Sequence, residues 1–176
     1  DVTALLDHLG IDRAALVGFS LGSVVALHLL HAAPTRFGAS VLVATGDGLI
    51  GHTPYIIDEV WLQLAEALAR AEFPADLPSH VAAYWTFATQ VGGDRAASLA
   101  AARASYPPCS ADEAAAIEVP VLVVSGEVDP VLGRGPLLAR AIPQGHYVEI
   151  PGADHFMLAR DEAAQTATAD FLAAHQ

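Results

Sequence analysis

The sequence predicts an α/β fold built on a parallel sheet, and three observations carry that prediction. Short, β-branched runs recur along the chain and are apolar throughout rather than alternating, as strands buried on both faces are. These runs alternate with helical stretches, which implies right-handed strand–helix–strand crossovers. At 176 residues, 53% hydrophobic and 16% charged, the chain can bury one core with a small insertion, and it carries too little charge for a disordered chain.

The elements follow in order. Val2, Leu5, Leu6 and Leu9 recur at helical spacing and stop at Gly10. Residues 14–17 read as a buried strand ending at Gly18. Residues 21–33 read as a helix closed by Pro34, with Val24, Val25, Leu27 and Leu30 apolar. Residues 40–44 are a second strand, running into Thr45, Gly46, Asp47 and Gly48. Residues 120–124 are a third, ending at Ser125 and Gly126. Residues 147–150 are a fourth, ending at Pro151 and Gly152. Helices are expected at 137–141 and 156–174.

Residues 49–118 break the alternation. Residues 56–73 form an amphipathic pattern with Ile57, Val60, Trp61, Leu64 and Leu68 on one side. Residues 78–90 and 94–105 read as two more helices. The expected organisation is therefore a sheet core from 1–48 and 119–176, with an all-helical insertion at 49–118. The chain opens on Asp1 inside a helical pattern, so the expectation is a piece of a longer chain.

Composition excludes several classes of function. Eight Lys and Arg stand against 20 Asp and Glu, a formal net charge of −12. Such a chain repels a phosphate backbone and gains nothing at an anionic membrane, so neither nucleic acid nor membrane is an expected partner. No stretch reads as a membrane span or a signal peptide. The single cysteine, Cys109, cannot close an intrachain disulfide, which fits a reducing compartment and a cytoplasmic location. Histidines and acids do not cluster at ligand spacing, so no metal or cofactor is expected.

Chemistry concentrates where Gly18, Phe19, Ser20, Leu21 and Gly22 join the first strand to the helix after it. This is a G-x-S-x-G pattern in the strand–turn–helix context that the pattern requires. A sharp turn there crowds the positions two residues either side of the serine, so glycine suits both. Ser20 would project its hydroxyl from the end of the sheet. The N–H of Leu21, at the helix start, would face a developing oxyanion.

A serine hydroxyl needs a base. Of the eight histidines, His28 and His31 fall in the helix after Ser20, and His52 and His80 in the insertion. His8 and His175 lie near the ends, and His146 opens the fourth strand. Only His155 lies in a loop just past the carboxyl end of a buried strand, where reactive groups gather in parallel sheets. The base in turn needs a carboxylate. Asp129, after the third strand, is the first candidate. Asp47, after the second, is the alternative. Asp154 adjoins His155 too closely in sequence to reach the back of its ring, and Glu127 is expected to point away. Each of these acids has a plainer reading as a turn or cap residue.

Ser20, Asp129 and His155 follow one another as nucleophile, acid and base. With the elbow, this order resembles the α/β-hydrolase family, from Asp1 to Gln176. The four strands resemble the last four of that family's sheet, and residues 49–118 resemble its helical cap. The resemblance also implies about four earlier strands and a loop carrying a second oxyanion donor. Without them, residues 14–17 would form an exposed apolar edge. The activity it implies is a serine hydrolase acting on an ester, lactone or related acyl compound. Phe19, Trp61 and Trp85 would line the substrate pocket, and the aromatics read equally well as cap core. Haloperoxidase-, C–C hydrolase- and acyltransferase-like members share the elbow. A non-catalytic binding or receptor protein on the same fold is the rival from another class.

Overall fold

The computed structural model describes residues 1–51, 56–70, 76–90, 94–104 and 106–175. His52, Phe73 and Ser105 lie outside the described residues, as do the side chains of Ile57, Val60 and His80.

The chain divides into two compact units, Asp1–Pro54 with Pro108–Gln176, and Tyr55–Pro107. The second is narrower than 49–118, because residues 49–51 and 108–118 group with the sheet.

The first unit opens with α1 (Val2–Leu9), which stops at Gly10 in the left-handed conformation, φ 67°. Four strands follow: β1 (Ala14–Phe19), β2 (Phe37–Val43), β3 (Val121–Gly126) and β4 (Gly145–Ile150). All pairs are parallel and the spatial order is β1-β2-β3-β4. Helix α2 (Leu21–Ala32) packs on β1 and β2. Helix α7 (Pro136–Ala141) packs on β3 and β4, and α8 (Glu162–Ala174) crosses β2, β3 and β4.

Side chains alternate across the sheet. Val41, Val43, Leu122 and Val124 join Leu158 and Ala164 in one apolar layer, against which Phe171 and Leu172 pack. Val123 points the other way, toward Gly135 at the head of α7. Each fully buried Val, Leu or Ile stabilises this core by roughly 1.5–3 kcal/mol. β1 is an edge strand, and among the described residues only β2 pairs with it. Its Val17 is 51% exposed, against 0% for Val41 beside it on β2.

Several boundaries differ from the sequence reading. β2 starts at Phe37 and β4 at Gly145, both earlier than their most apolar residues, because pairing with a neighbour extends a strand past its apolar stretch. The helix expected at 156–174 is two pieces. A short 3₁₀ turn covers Met157–Ala159, and α8 starts after Asp161, whose carboxylate accepts the Ala164 N–H at 2.9 Å. A short helix, α6 (Ala111–Ala115), escaped the periodicity argument. A reciprocal Ser110–Glu113 capping box opens it.

The second unit contains α3 (Ile56–Ala69), α4 (Ser79–Gln90) and α5 (Arg95–Ala102). Leu64, Leu68, Val81, Ala88 and Ala102 form its core, with Trp61, Tyr84 and Trp85 packed against it. Asp94 caps α5 by accepting the N–H groups of Ala96 and Ala97. Among the described residues no helix is long and apolar enough to cross a membrane.

Candidate active site

The elbow is built from the backbone. Ser20 sits at φ 53°, ψ −116°, a strained conformation for a residue with a side chain. Its N–H donates to the Val43 carbonyl at 2.9 Å, which ties the turn to the neighbouring strand. Gly18 is required: a Cβ there would lie 2.4 Å from the Gly22 carbonyl oxygen and 2.7 Å from the Ser23 Cα. Gly22 is not crowded in return. A Cβ on it would meet nothing within 4 Å. The crowding expected at both glycines is thus one-sided, because Gly22 contributes the backbone wall and Gly18 approaches it.

Ser23, which the sequence reading passed over, braces the turn. Its buried hydroxyl shares a proton between the carbonyls of Gly18 at 2.9 Å and Val43 at 2.8 Å. A small polar residue on an otherwise apolar helix face was its only signal. Leu21 is the first residue of α2, and N–H groups in a first helical turn have no carbonyl one turn back to bond.

His155 reaches this elbow from the loop after β4. Its Nε2 lies 2.8 Å from the Ser20 Oγ, and its Nδ1 lies 2.8 Å from the Asp129 Oδ2. The His155 and Asp129 side chains are 1% and 0% exposed, so water does not compete for the bond between them. A carboxylate only accepts, so this pairing puts the imidazole proton on Nδ1 and turns the Nε2 lone pair toward the serine hydroxyl. The other Asp129 oxygen accepts the N–H groups of Val131 at 2.7 Å and Leu132 at 3.1 Å, which fixes the carboxylate plane. The rings of Phe19 and Phe156 flank His155, with centroids 5.8 Å and 5.4 Å away.

The other candidate acids have different partners. One Asp47 oxygen accepts the N–H groups of Leu137 and Leu138, both at 2.8 Å, and so caps α7. Asp129, not Asp47, therefore stands behind His155. Asp154 accepts the N–H groups of Phe156 and Met157, in a tight turn around the histidine. Glu127 accepts the Gly152 N–H at 2.8 Å.

The remaining residues are occupied elsewhere. His146 packs edge-on against Phe171, and the His175 Nδ1 lies 2.8 Å from the Phe171 carbonyl oxygen. Burial pushes the Cys109 thiol up to about 11, and the Glu113 carboxylate pushes the same way, so little thiolate exists near neutral pH. Trp61 stacks at a tilt on Tyr84 and Tyr106 within the second unit's own core, and Trp85 packs there too. Among the described residues, no group of three His, Cys, Asp or Glu side chains is placed to hold a metal ion.

Comparison with known proteins matches this arrangement to a family. The chain is 28% identical to "Putative non-heme bromoperoxidase BpoC" of Mycobacterium tuberculosis, over 98% of this chain and 73% of that protein. It is similar to the crystal structure of the enol-lactonase from Burkholderia xenovorans LB400, with TM-score 0.70 and 26% identity. That match covers 98% of this chain and 70% of the lactonase. It is also similar to Est816, described as an N-acyl homoserine lactone degrading enzyme, with TM-score 0.69 and 26% identity, over 96% and 71% of the two chains. The four parallel strands correspond to the C-terminal part of the shared fold. The model of the Alpha/beta hydrolase family matches residues 1–169, and the chain belongs to that family.

Proposed function

We propose that this protein is a serine hydrolase of an ester, lactone or related acyl compound. The observation that carries the reading is the unbroken chain from the Ser20 Oγ through both His155 nitrogens to the Asp129 Oδ2, with both hydrogen bonds at 2.8 Å. His155 Nε2 takes the hydroxyl proton as Ser20 attacks the carbonyl carbon. Asp129 holds the ring's tautomer and stabilises the imidazolium that forms. The Leu21 N–H stabilises the oxyanion. The imidazolium then protonates the departing alkoxide. Water, activated by the same base, releases the acid from Ser20. The lactone- and homoserine-lactone-directed descriptions of two similar structures support an acyl substrate. Phe19 would line the pocket beside His155.

A specific observation favours a second reading. The relative named as a non-heme bromoperoxidase shares 28% of this sequence. Bromination assays with peroxide and bromide would separate this reading from ester hydrolysis. A receptor has no need of three residues held this closely in register, which argues against a purely binding role.

The deciding experiment is fluorophosphonate labelling with peptide mapping, alongside hydrolysis of a small activated ester. Labelling at Ser20 is expected. Ser20→Ala should remove it and lower turnover by on the order of 10⁶-fold, because nucleophile and base act as a unit. A Ser20→Ala form that keeps its turnover would overturn the proposal.

A further inference from the structure

Resting on the triad reading above, we propose that Glu127 is a positioning residue that locks the loop carrying the base to the loop carrying its acid. The two loops leave adjacent parallel strands, and the β3–β4 register ends at Gly126 opposite Ile150. Beyond that point no ladder is obliged to continue. Here it does. The Glu127 N–H donates to the Ile150 carbonyl at 3.0 Å, and the Val128 N–H donates to the Ala153 carbonyl at 3.1 Å. Gly126 permits the approach, since a Cβ there would sit 2.3 Å from the Ala153 carbonyl oxygen. The Glu127 carboxylate then reaches back across to the Gly152 N–H at 2.8 Å.

Gly152 turns the base loop in the left-handed conformation, φ 67°, three residues before His155. Its N–H has the Glu127 carboxylate as its acceptor. A carboxylate makes a stronger one than a neutral oxygen. Glu127 lies two residues before Asp129, so one short segment holds the base loop twice: at Gly152 through Glu127, and at the His155 ring through Asp129. Glu127 is exposed, and its carboxylate bonds the Gly152 N–H, whereas the two His155 nitrogens face Asp129 and Ser20. Its effect on chemistry passes through the distance and angle of the Asp129–His155 pair. Misplacing such a group by about 1 Å can cost on the order of 10²-fold.

The test combines variants at Glu127 with Asp129→Asn, reading kcat, KM and the fluorophosphonate labelling rate at Ser20. Glu127→Ala is expected to lower kcat and labelling about tenfold, with KM within about twofold, since no substrate contact is lost. Glu127→Gln keeps an oxygen for the Gly152 N–H and should stay within about threefold of the parent. In the Asp129→Asn background, Glu127→Ala should add less than about twofold, because the pair it aligns is already broken. If Glu127→Ala does not fold, Glu127→Asp, one methylene too short to reach, should show the same loss. A kcat unchanged in Glu127→Ala or Glu127→Asp overturns the proposal, as does an undiminished loss in the Asp129→Asn background. Ser20→Ala, measured beside them, reports on the triad itself. Its failure sinks the hydrolase reading, whereas silent Glu127 variants beside an inactive Ser20→Ala sink only the clamp.

Discussion

The proposed nucleophile, Ser20, and its two hydrogen-bonded partners are held in place by different physics. Ser20 is positioned by covalent geometry: a strained backbone, a glycine pressed against a carbonyl, and one strand-to-turn hydrogen bond. His155 and Asp129 sit in longer loops positioned by carboxylates that accept backbone N–H groups. The first device is written into five consecutive residues. The second is spread over chain segments more than twenty residues apart. A motif reports the first directly, and only a fold reports the second.

The largest test of this contrast falls on the acid. Asp129 has given one oxygen to two backbone N–H groups, so Asp129→Asn is expected to keep its carbonyl oxygen there and present its amide NH₂ to His155 Nδ1. That forces the imidazole proton onto Nε2, where it cannot accept from Ser20. The expected loss is about 10⁴ in kcat, or roughly 5.5 kcal/mol, with the fold intact by circular dichroism. A loss below about tenfold would show that the hydrogen bond to Asp129 does not set the tautomer.

The elbow should fail in the opposite way, through stability. Gly18→Ala places a methyl group against backbone that cannot turn aside, so it should cost about 3 kcal/mol in urea unfolding, the upper end of overpacking. Gly22→Ala meets open space near a helix start and should be neutral or stabilising by about 0.4–1 kcal/mol. Equal costs at the two glycines would contradict the one-sided crowding.

A third loop at the same edge of the sheet sharpens the comparison, since its carboxylate serves a helix rather than a histidine. Asp47→Ala removes the cap of α7 and should cost about 0.5–2 kcal/mol of stability with kcat changed less than threefold. A large fall in kcat at unchanged stability would return Asp47 to the candidate acids.

These cases show what the sequence could tell. The elbow was legible because a turn, its glycines and its serine are neighbours. His155 and Asp129 were legible as loop residues after buried strands, since parallel strands bring their carboxyl ends to one edge. The choice between Asp129 and Asp47 was not. Asp47 finds its partners ninety residues away at Leu137 and Leu138, a distance that no local pattern encodes. Glu127 was expected to point away from the chemistry. It does turn from the ring, but toward Gly152, a partner that exists only once β3 and β4 pair. The break at Asp161 was missed because alanine-rich sequence is helical on either side, and a single cap residue decides where the helix begins.

The smallest effect separates a carboxylate that caps from one that aligns a base. Glu113 closes the capping box of α6 by accepting the Ser110 N–H at 2.7 Å while donating its own N–H to the Ser110 hydroxyl at 3.1 Å. The backbone N–H of Ser110, then its hydroxyl, holds the Glu113 carboxyl below its usual 4.5, and the imidazoles of His31 and His28 push the same way. A carboxyl whose native value is lowered binds its proton more readily in the unfolded chain. Its contribution to stability is therefore fully present above about 4.5 and is lost as the pH falls through the lower native value. The difference in urea midpoint between the protein and Glu113→Gln should be flat near neutral pH and shrink as the solution is acidified below 4.5. The change should be small, because both partners face solvent. Activity near neutral pH should not move, since the Glu113 carboxylate serves the cap of α6 and the His155 nitrogens face Ser20 and Asp129. A midpoint difference that grows on acidification would reverse the sign of this linkage, and a fall in kcat would carry the influence of caps into the active site.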